Sequence, residues 1–137
     1  MKGTLILEAG EHDEVIALAA SQIDSTKFAV YTNPGGEKNR TIRFGDSELA
    51  PDVMLVPLGG KYSTFIIEVE TDETVTEAHA LEQWIPYSRL EKVFYLVVPL
   101  RALKKAKDIC QRLGIAGVHF GYYYAKGSSW LINYEGN

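Results

Sequence analysis

The run Val93-Phe94-Tyr95-Leu96-Val97-Val98-Pro99 carries no charge and is bounded by Glu91-Lys92 before it and Arg101 after it. A strand that does not alternate between apolar and polar must be covered on both faces. Helical patterns stand on either side of it in the chain. This one segment therefore argues for a sheet sandwiched by helices, in an α/β or mixed arrangement.

The rest of the chain fits that frame. Glu11 to Asp24 reads as a first helix, with Val15, Ile16, Leu18, Ala19 and Ile23 as its apolar stripe. Phe28 to Thr32 is a short strand, and Arg40 to Phe44 is expected as its hairpin partner across the loop Asn33-Pro34-Gly35-Gly36-Glu37-Lys38-Asn39. Asp52 to Leu58 and Tyr62 to Glu70 read as two strands joined through Gly59-Gly60. A helix is expected from Val75 to Glu91, with Thr74 and Glu77 in capping-box relation and Pro86 inside it, kinking it or ending its regular part. On this helix Ala78, Leu81 and Ile85 are expected to face the sheet. Arg101 to Leu113 is a last helix, closed by Gly114. Val118 to Ala125 and Ser129 to Tyr134 form a terminal hairpin around Lys126-Gly127-Ser128. The expectation is a single domain, residues 1–137, with a mixed sheet and helices on both faces.

Composition narrows the function. At 137 residues the chain has the length for one real core. Its lone cysteine, Cys110, excludes an internal disulfide and fits a buried structural thiol in a reducing compartment. No apolar run approaches the roughly 20 residues of a membrane span, and Met1 to Gly10 lacks the apolar core of a signal peptide. A cytoplasmic location without a membrane partner is the expectation. The formal charge of -4 runs against a dedicated nucleic-acid binder, which is usually basic.

Three carboxylates stand where chemistry would need them. Asp52 opens one strand and Glu68 and Glu70 close the next; side chains two apart on a strand share a face. If the two strands pair, the three acids converge, and buried together they cannot all ionise without a cation. Mg²⁺ or Mn²⁺ suits such an oxygen set, with Asp52, Glu68 and Glu70 as ligands. The alternative is that acids at strand ends and helix starts are structural, as Glu73 and Glu77 are. His79, Gln83 and Tyr87 follow at helical spacing along one side, so His79 and Tyr87 are candidates to touch a substrate and Gln83 to hold water or phosphate. Trp84 reads as packing. Arg101, Lys104, Lys105, Lys107 and Arg112 are either phosphate contacts or the wet face of the last helix. Tyr122 to Tyr124 are a dimer surface or the two faces of a strand.

The segments Pro51-Asp52 and Ile66-Ile67-Glu68-Val69-Glu70, in that order, resemble the PD…(D/E)XK signature of the restriction-endonuclease-like nuclease superfamily. Gln83-Trp84-Ile85-Pro86-Tyr87 resembles the QxxxY motif of its RecB-type members. The likeness extends from about Glu11 to Ala125 and implies an αβββαβ core. It implies a Mg²⁺- or Mn²⁺-dependent hydrolase of phosphodiester bonds in DNA, with Asp52, Glu68 and the Val69 carbonyl on the metal and Glu70 and Gln83 assisting catalysis. The departure is Glu70, where most active members carry a Lys that orients the attacking water. That leaves two expectations open. One is an active enzyme, with Glu70 as base or further metal ligand, or with a migrated lysine such as Lys61. The other is an inactive relative serving in nucleic-acid binding or protein assembly. A homodimer is compatible with both.

Overall fold

The computed structural model describes residues 3–60 and 62–136, with the side chains of the first helix from Gly10 onward. That helix, α1, runs over Gly3–Ser21 and so begins earlier than its apolar stripe suggests. Eight strands follow: β1 (Phe28–Thr32), β2 (Ile42–Phe44), β3 (Ser47–Leu49), β4 (Val53–Pro57), β5 (Phe65–Val69), β6 (Val93–Pro99), β7 (Val118–Lys126) and β8 (Ser129–Tyr134). Two short helices, α2 (Glu77–His79) and α3 (Ile85–Ser88), flank a π-helical turn over Ala80–Trp84, and α4 spans Leu103–Leu113. Six strands form one mixed sheet in the order β1-β4-β5-β6-β7-β8. The β5–β6 and β6–β7 pairs are parallel and each is bridged by helix; the remaining pairs are antiparallel.

The apolar run at the centre is covered as its composition requires. Phe94, Leu96 and Val98 point to one face, where Ile66 joins them beneath Trp84, Tyr87, Ala106 and Ile109. Val97 points to the other, with Val53, Leu55, Ile67 and Val69 beneath Val15, Ile16 and Ala19 of α1. Helices therefore lie on both faces. Cys110 is buried in the first cluster, and burial pushes its thiol up to about 11, as befits an inert packing residue.

Three local expectations are corrected. The partner of β1 is β4, in a five-residue register from Phe28↔Pro57 to Thr32↔Val53, and not Arg40 to Phe44. That later segment supplies β2, which pairs instead with β3 in a separate small hairpin turning through Gly45 at φ 61°. The reason is anchorage. Asn33 is buried and donates through Nδ2 to the carbonyls of Arg40 (2.9 Å) and Pro51 (2.6 Å), while its Oδ1 accepts from the Arg40 amide (3.1 Å). These bonds close 33–40 into a loop and eject the chain from the sheet. Second, the N-cap of α2 is Thr76, whose Oγ1 accepts from the His79 amide at 3.1 Å. Thr74 caps the preceding turn, accepting from the Thr71 amide at 2.9 Å. Third, the sheet-facing positions of 77–88 are Ala80, Trp84 and Tyr87, whereas Ala78 and Leu81 are exposed. The large apolar areas of Trp and Tyr win the buried side over Leu81. As expected of Pro86, the helix is not regular around it. Pro86 has no amide to donate, and the π-helical turn just before it absorbs the mismatch.

Candidate functional site

The site grows out of the end of the β4–β5 pair. Val53 is paired with Ile67, so Asp52 and Glu68 come opposite each other one step further along. There the main-chain ladder is replaced by side chains. The Asp52 amide donates to Glu68 Oε2 at 2.8 Å, and the Val69 amide donates to Asp52 Oδ2 at 2.8 Å. Glu70 follows Glu68 on the same face, its amide held by the Val97 carbonyl of β6 at 2.9 Å. Its side chain is buried (2% exposed) and takes two donors, Trp84 Nε1 to Oε2 at 2.8 Å and His79 Nε2 to Oε1 at 3.1 Å. Trp84 is thus a packing residue as expected, with its one polar atom spent on Glu70.

The three acids line a single cavity of about 420 Å³ together with His12, Asn33, Lys38, Val69, His79 and Gln83. The sequence assigned His79, Gln83 and Tyr87 to one row. The structure brings His79 and Gln83 to the cavity and places Tyr87 (1% exposed) in the core beneath, so Tyr87 is not a substrate-contacting residue. The one-residue expansion of the π-helical turn rotates the two ends of the row apart. Lys61 lies outside the described residues.

Two residues of the cavity were not singled out from sequence. His12 reaches from α1, its Nε2 donating to Asp52 Oδ2 at 3.3 Å and its Nδ1 lying 3.3 Å from Asp13 Oδ1. Lys38 comes from the Asn33-anchored loop, where Gly35 and Gly36 take positive φ of 58° and 82°. The Pro-Gly-Gly signature marked that loop as a turn, but nothing local says that it folds back over β4.

Electrostatics inside the cavity are strained in one direction. Burial, then the charges of Asp52 and Glu70, hold the Glu68 carboxyl well above its usual range, against one hydrogen bond from the Asp52 amide. Burial also raises Asp52, opposed by the His12 hydrogen bond and charge. Burial alone would lower His12, yet the hydrogen bonds and charges of Asp52 and Asp13 prevail and push it up to about 9. His79 is raised, first by its bond to Glu70 and against burial. Burial and the same three carboxylates raise the Tyr87 hydroxyl. Each imidazole thus faces a carboxylate, His12 against Asp52 and His79 against Glu70, while Glu68 has no basic side chain paired with it among the described residues.

Hard oxygen donors make this set chemically suited to Mg²⁺ or Mn²⁺. The hydrogen bonds among the described residues engage Oδ2 of Asp52, Oε2 of Glu68 and both oxygens of Glu70. They leave Oδ1 of Asp52, Oε1 of Glu68 and the Val69 carbonyl as the oxygens that would hold a cation. Among the described residues, no group of three His, Cys, Asp or Glu side chains is arranged so as to hold a metal ion. The basic residues on and just before α4 are largely paired: Arg101 with Asp72, Lys104 with Asp108 (3.1 Å), Lys107 with Glu135 (2.6 Å) and Arg112 with Glu77. Of the tyrosine run, Tyr123 is buried while Tyr122 and Tyr124 share the opposite, half-exposed face. No described helix is long and apolar enough to cross a membrane. Compared with protein-family models and with curated proteins, the chain matches none.

Proposed function

We propose that this chain is a divalent-metal-dependent phosphodiesterase of the PD-(D/E)XK kind that hydrolyses DNA. The observation that carries the reading is the buried meeting of Asp52 and Glu68 at a strand-pair end, in a cavity that also holds Glu70 and two histidines. A cluster with more acids than it can ionise is a standing attraction for a cation. The order of elements, with β4 and β5 antiparallel and β6 added in parallel through a helix, supports the same reading.

In this scheme Asp52, Glu68 and the Val69 carbonyl hold the metal. When bound, Mg²⁺ or Mn²⁺ supplies charge neutralisation at the phosphoryl group and acidifies water. Glu70 orients His79 and keeps its proton in the cavity, available to a leaving oxygen. Gln83 positions water or a phosphate oxygen. Lys38 brings the positive charge that the strand lacks at position 70, carried on a glycine-bearing loop instead. His12, paired with Asp52, would compete with a cation for that carboxylate.

The test is calorimetric titration with Mn²⁺, together with cleavage assays on duplex, single-stranded and branched DNA in Mg²⁺ and Mn²⁺. Binding that disappears in Asp52→Ala, and cleavage of one DNA form, are expected. A protein that binds Mn²⁺ but cuts none of these substrates is not the proposed enzyme.

One observation favours a second reading. His12 and His79 already pair with Asp52 and Glu70 without any metal. Such a self-balanced cluster suits an inactive module in nucleic-acid binding or protein assembly. Absence of Mn²⁺ binding in the wild-type protein would select it.

A further inference from the structure

Glu70 stands where β5 leaves the sheet, and its carbonyl lacks the partner that the sheet would give it. The parallel register sets Val69 opposite Val97, and the Glu70 amide donates to the Val97 carbonyl at 2.9 Å. In a parallel ladder the carbonyl of that same residue then accepts from the amide two positions beyond Val97. That position is Pro99, which has no amide proton to give. Pro99 ends β6 and leads into the turn Leu100–Ala102, where its fixed φ of -56° suits the exit of the chain toward α4. The strand end thus gains a stiff exit and loses one ladder bond.

The missing donor comes from β7. Tyr123 lies opposite Pro99 in the β6–β7 register, and its hydroxyl reaches across β6 to donate to the Glu70 carbonyl at 2.8 Å. The residue is buried, and its ring is braced edge-on by Trp130 at 5.4 Å. The hydroxyl has one proton and a second acceptor within reach, Glu11 Oε2 at 2.6 Å. Glu11 is half-exposed, so water can serve its carboxylate. The Glu70 carbonyl has no other donor among the described residues, and a buried carbonyl without a donor is costly. With Tyr123 in place every polar group of Glu70 is engaged: its amide by Val97, its carbonyl by Tyr123, and its carboxylate by Trp84 and His79.

We infer that Tyr123 is a positioning residue for the acidic cavity: its hydroxyl replaces the amide that Pro99 lacks and fixes the Val69–Glu70 segment from behind. That segment presents both the Val69 carbonyl and the Glu70 carboxylate to the cavity. Tyr123 itself touches neither metal nor substrate and acts through Glu70. Its effect on a cation rests on the phosphodiesterase reading; the exchange of hydrogen-bond donors does not. Groups that hold the residues around a metal, without binding it, change metal affinity by about 10- to 100-fold when removed.

The experiment is a rescue cycle on the full chain: wild type, Tyr123→Phe, Pro99→Ala and the double variant, compared at a temperature where all are folded by circular dichroism. Two quantities are read, the chemical shift of the Glu70 carbonyl carbon in EDTA and the Mn²⁺ affinity by calorimetry. Tyr123→Phe keeps the ring and removes the hydroxyl, so the carbonyl carbon should move upfield and the Mn²⁺ Kd should rise roughly 10- to 100-fold. The double variant restores an amide at position 99 and should recover both. A carbonyl shift that Tyr123→Phe leaves unchanged overturns the inference. So does a loss of Mn²⁺ affinity that the double variant fails to recover, because a packing defect at Tyr123 would not respond to a donor on β6. If Tyr123→Phe fails to fold, Glu11→Gln decides: its amide can donate to the hydroxyl and release the hydroxyl proton to Glu70, so the carbonyl carbon should move downfield, and an unmoved shift overturns the inference. A wild-type protein that binds no Mn²⁺, with the carbonyl shift lost in Tyr123→Phe and regained in the double variant, would instead remove the metal reading and leave the donor exchange standing.

Discussion

Glu68→Gln isolates the electrostatic strain of the acidic cavity. The substitution keeps size and shape, and the amide oxygen can still accept from the Asp52 amide. What it removes is the capacity to ionise. Glu68 has a folded-state pKa raised above its unfolded value near 4.5, so the stability it contributes is complete below about pH 4.5 and declines as pH rises toward its folded pKa. The glutamine variant has no such decline. At pH 4 the two proteins should melt together; at pH 8 the variant should be more stable by about 1–4 kcal/mol, the usual gain on neutralising a poorly compensated buried charge. For a chain of this length that is roughly 4 °C per kcal/mol in Tm. The assay is thermal unfolding by circular dichroism across pH 4–9 in EDTA, repeated in Mn²⁺. If Mn²⁺ binds as proposed, at a hundredfold above its Kd the wild-type protein should recover about 2.7 kcal/mol, and the variant, lacking one proposed ligand, much less. A variant less stable than wild type at pH 8 without metal, or an offset equal at both pH values, would refute the reasoning.

Three further outcomes follow from the same geometry. His12 is raised to about 9, so its contribution is complete below pH 6.5 and lost as pH climbs through 9; His12→Gln should flatten the Tm profile in that window. Glu70→Lys, which would write the usual lysine into the strand, should not create a better enzyme. It places a cation against the His79 imidazolium and leaves Trp84 Nε1 without an acceptor, at a cost of about 3–5 kcal/mol by urea denaturation. Gly121→Ala tests packing at the β7–β8 pair, where a Cβ would stand 2.9 Å from Tyr134 Cδ1 and 3.2 Å from Val97 Cγ2. A loss of about 1–3 kcal/mol is expected, and a neutral result would mean that the Tyr134 ring swings aside freely.

Periodicity carried most of the architecture. Val93 to Pro99 demanded cover on both faces, and the stripe of Val15, Ile16 and Ala19 supplied one side of it. The Asp52–Glu68 meeting was legible because two β-favouring runs joined through Gly59-Gly60 have little choice but to pair. Other features depended on contacts between residues distant in sequence. β2 looked like the natural hairpin partner of β1, and only the buried bonds of Asn33 to Arg40 and Pro51 show why the chain leaves the sheet there. Tyr87 fell on the right helical spacing, but the spacing assumed a regular helix and the turn before Pro86 is π-helical. His12 carried no local signal: its pairing with Asp52 spans 40 positions and exists only because α1 packs over the end of β4.

The exchange of amides and carboxylates between Asp52 and Glu68 has a consequence for how this protein can change over time. These two side chains complete the hydrogen bonding of a strand pair where its main-chain ladder runs out. Replacing either acid with an apolar residue would remove a proposed metal ligand and also fray the end of the β4–β5 pair. A lineage that gave up catalysis would thus keep both acids for mechanical reasons, and their persistence alone says little about whether the reaction is still performed.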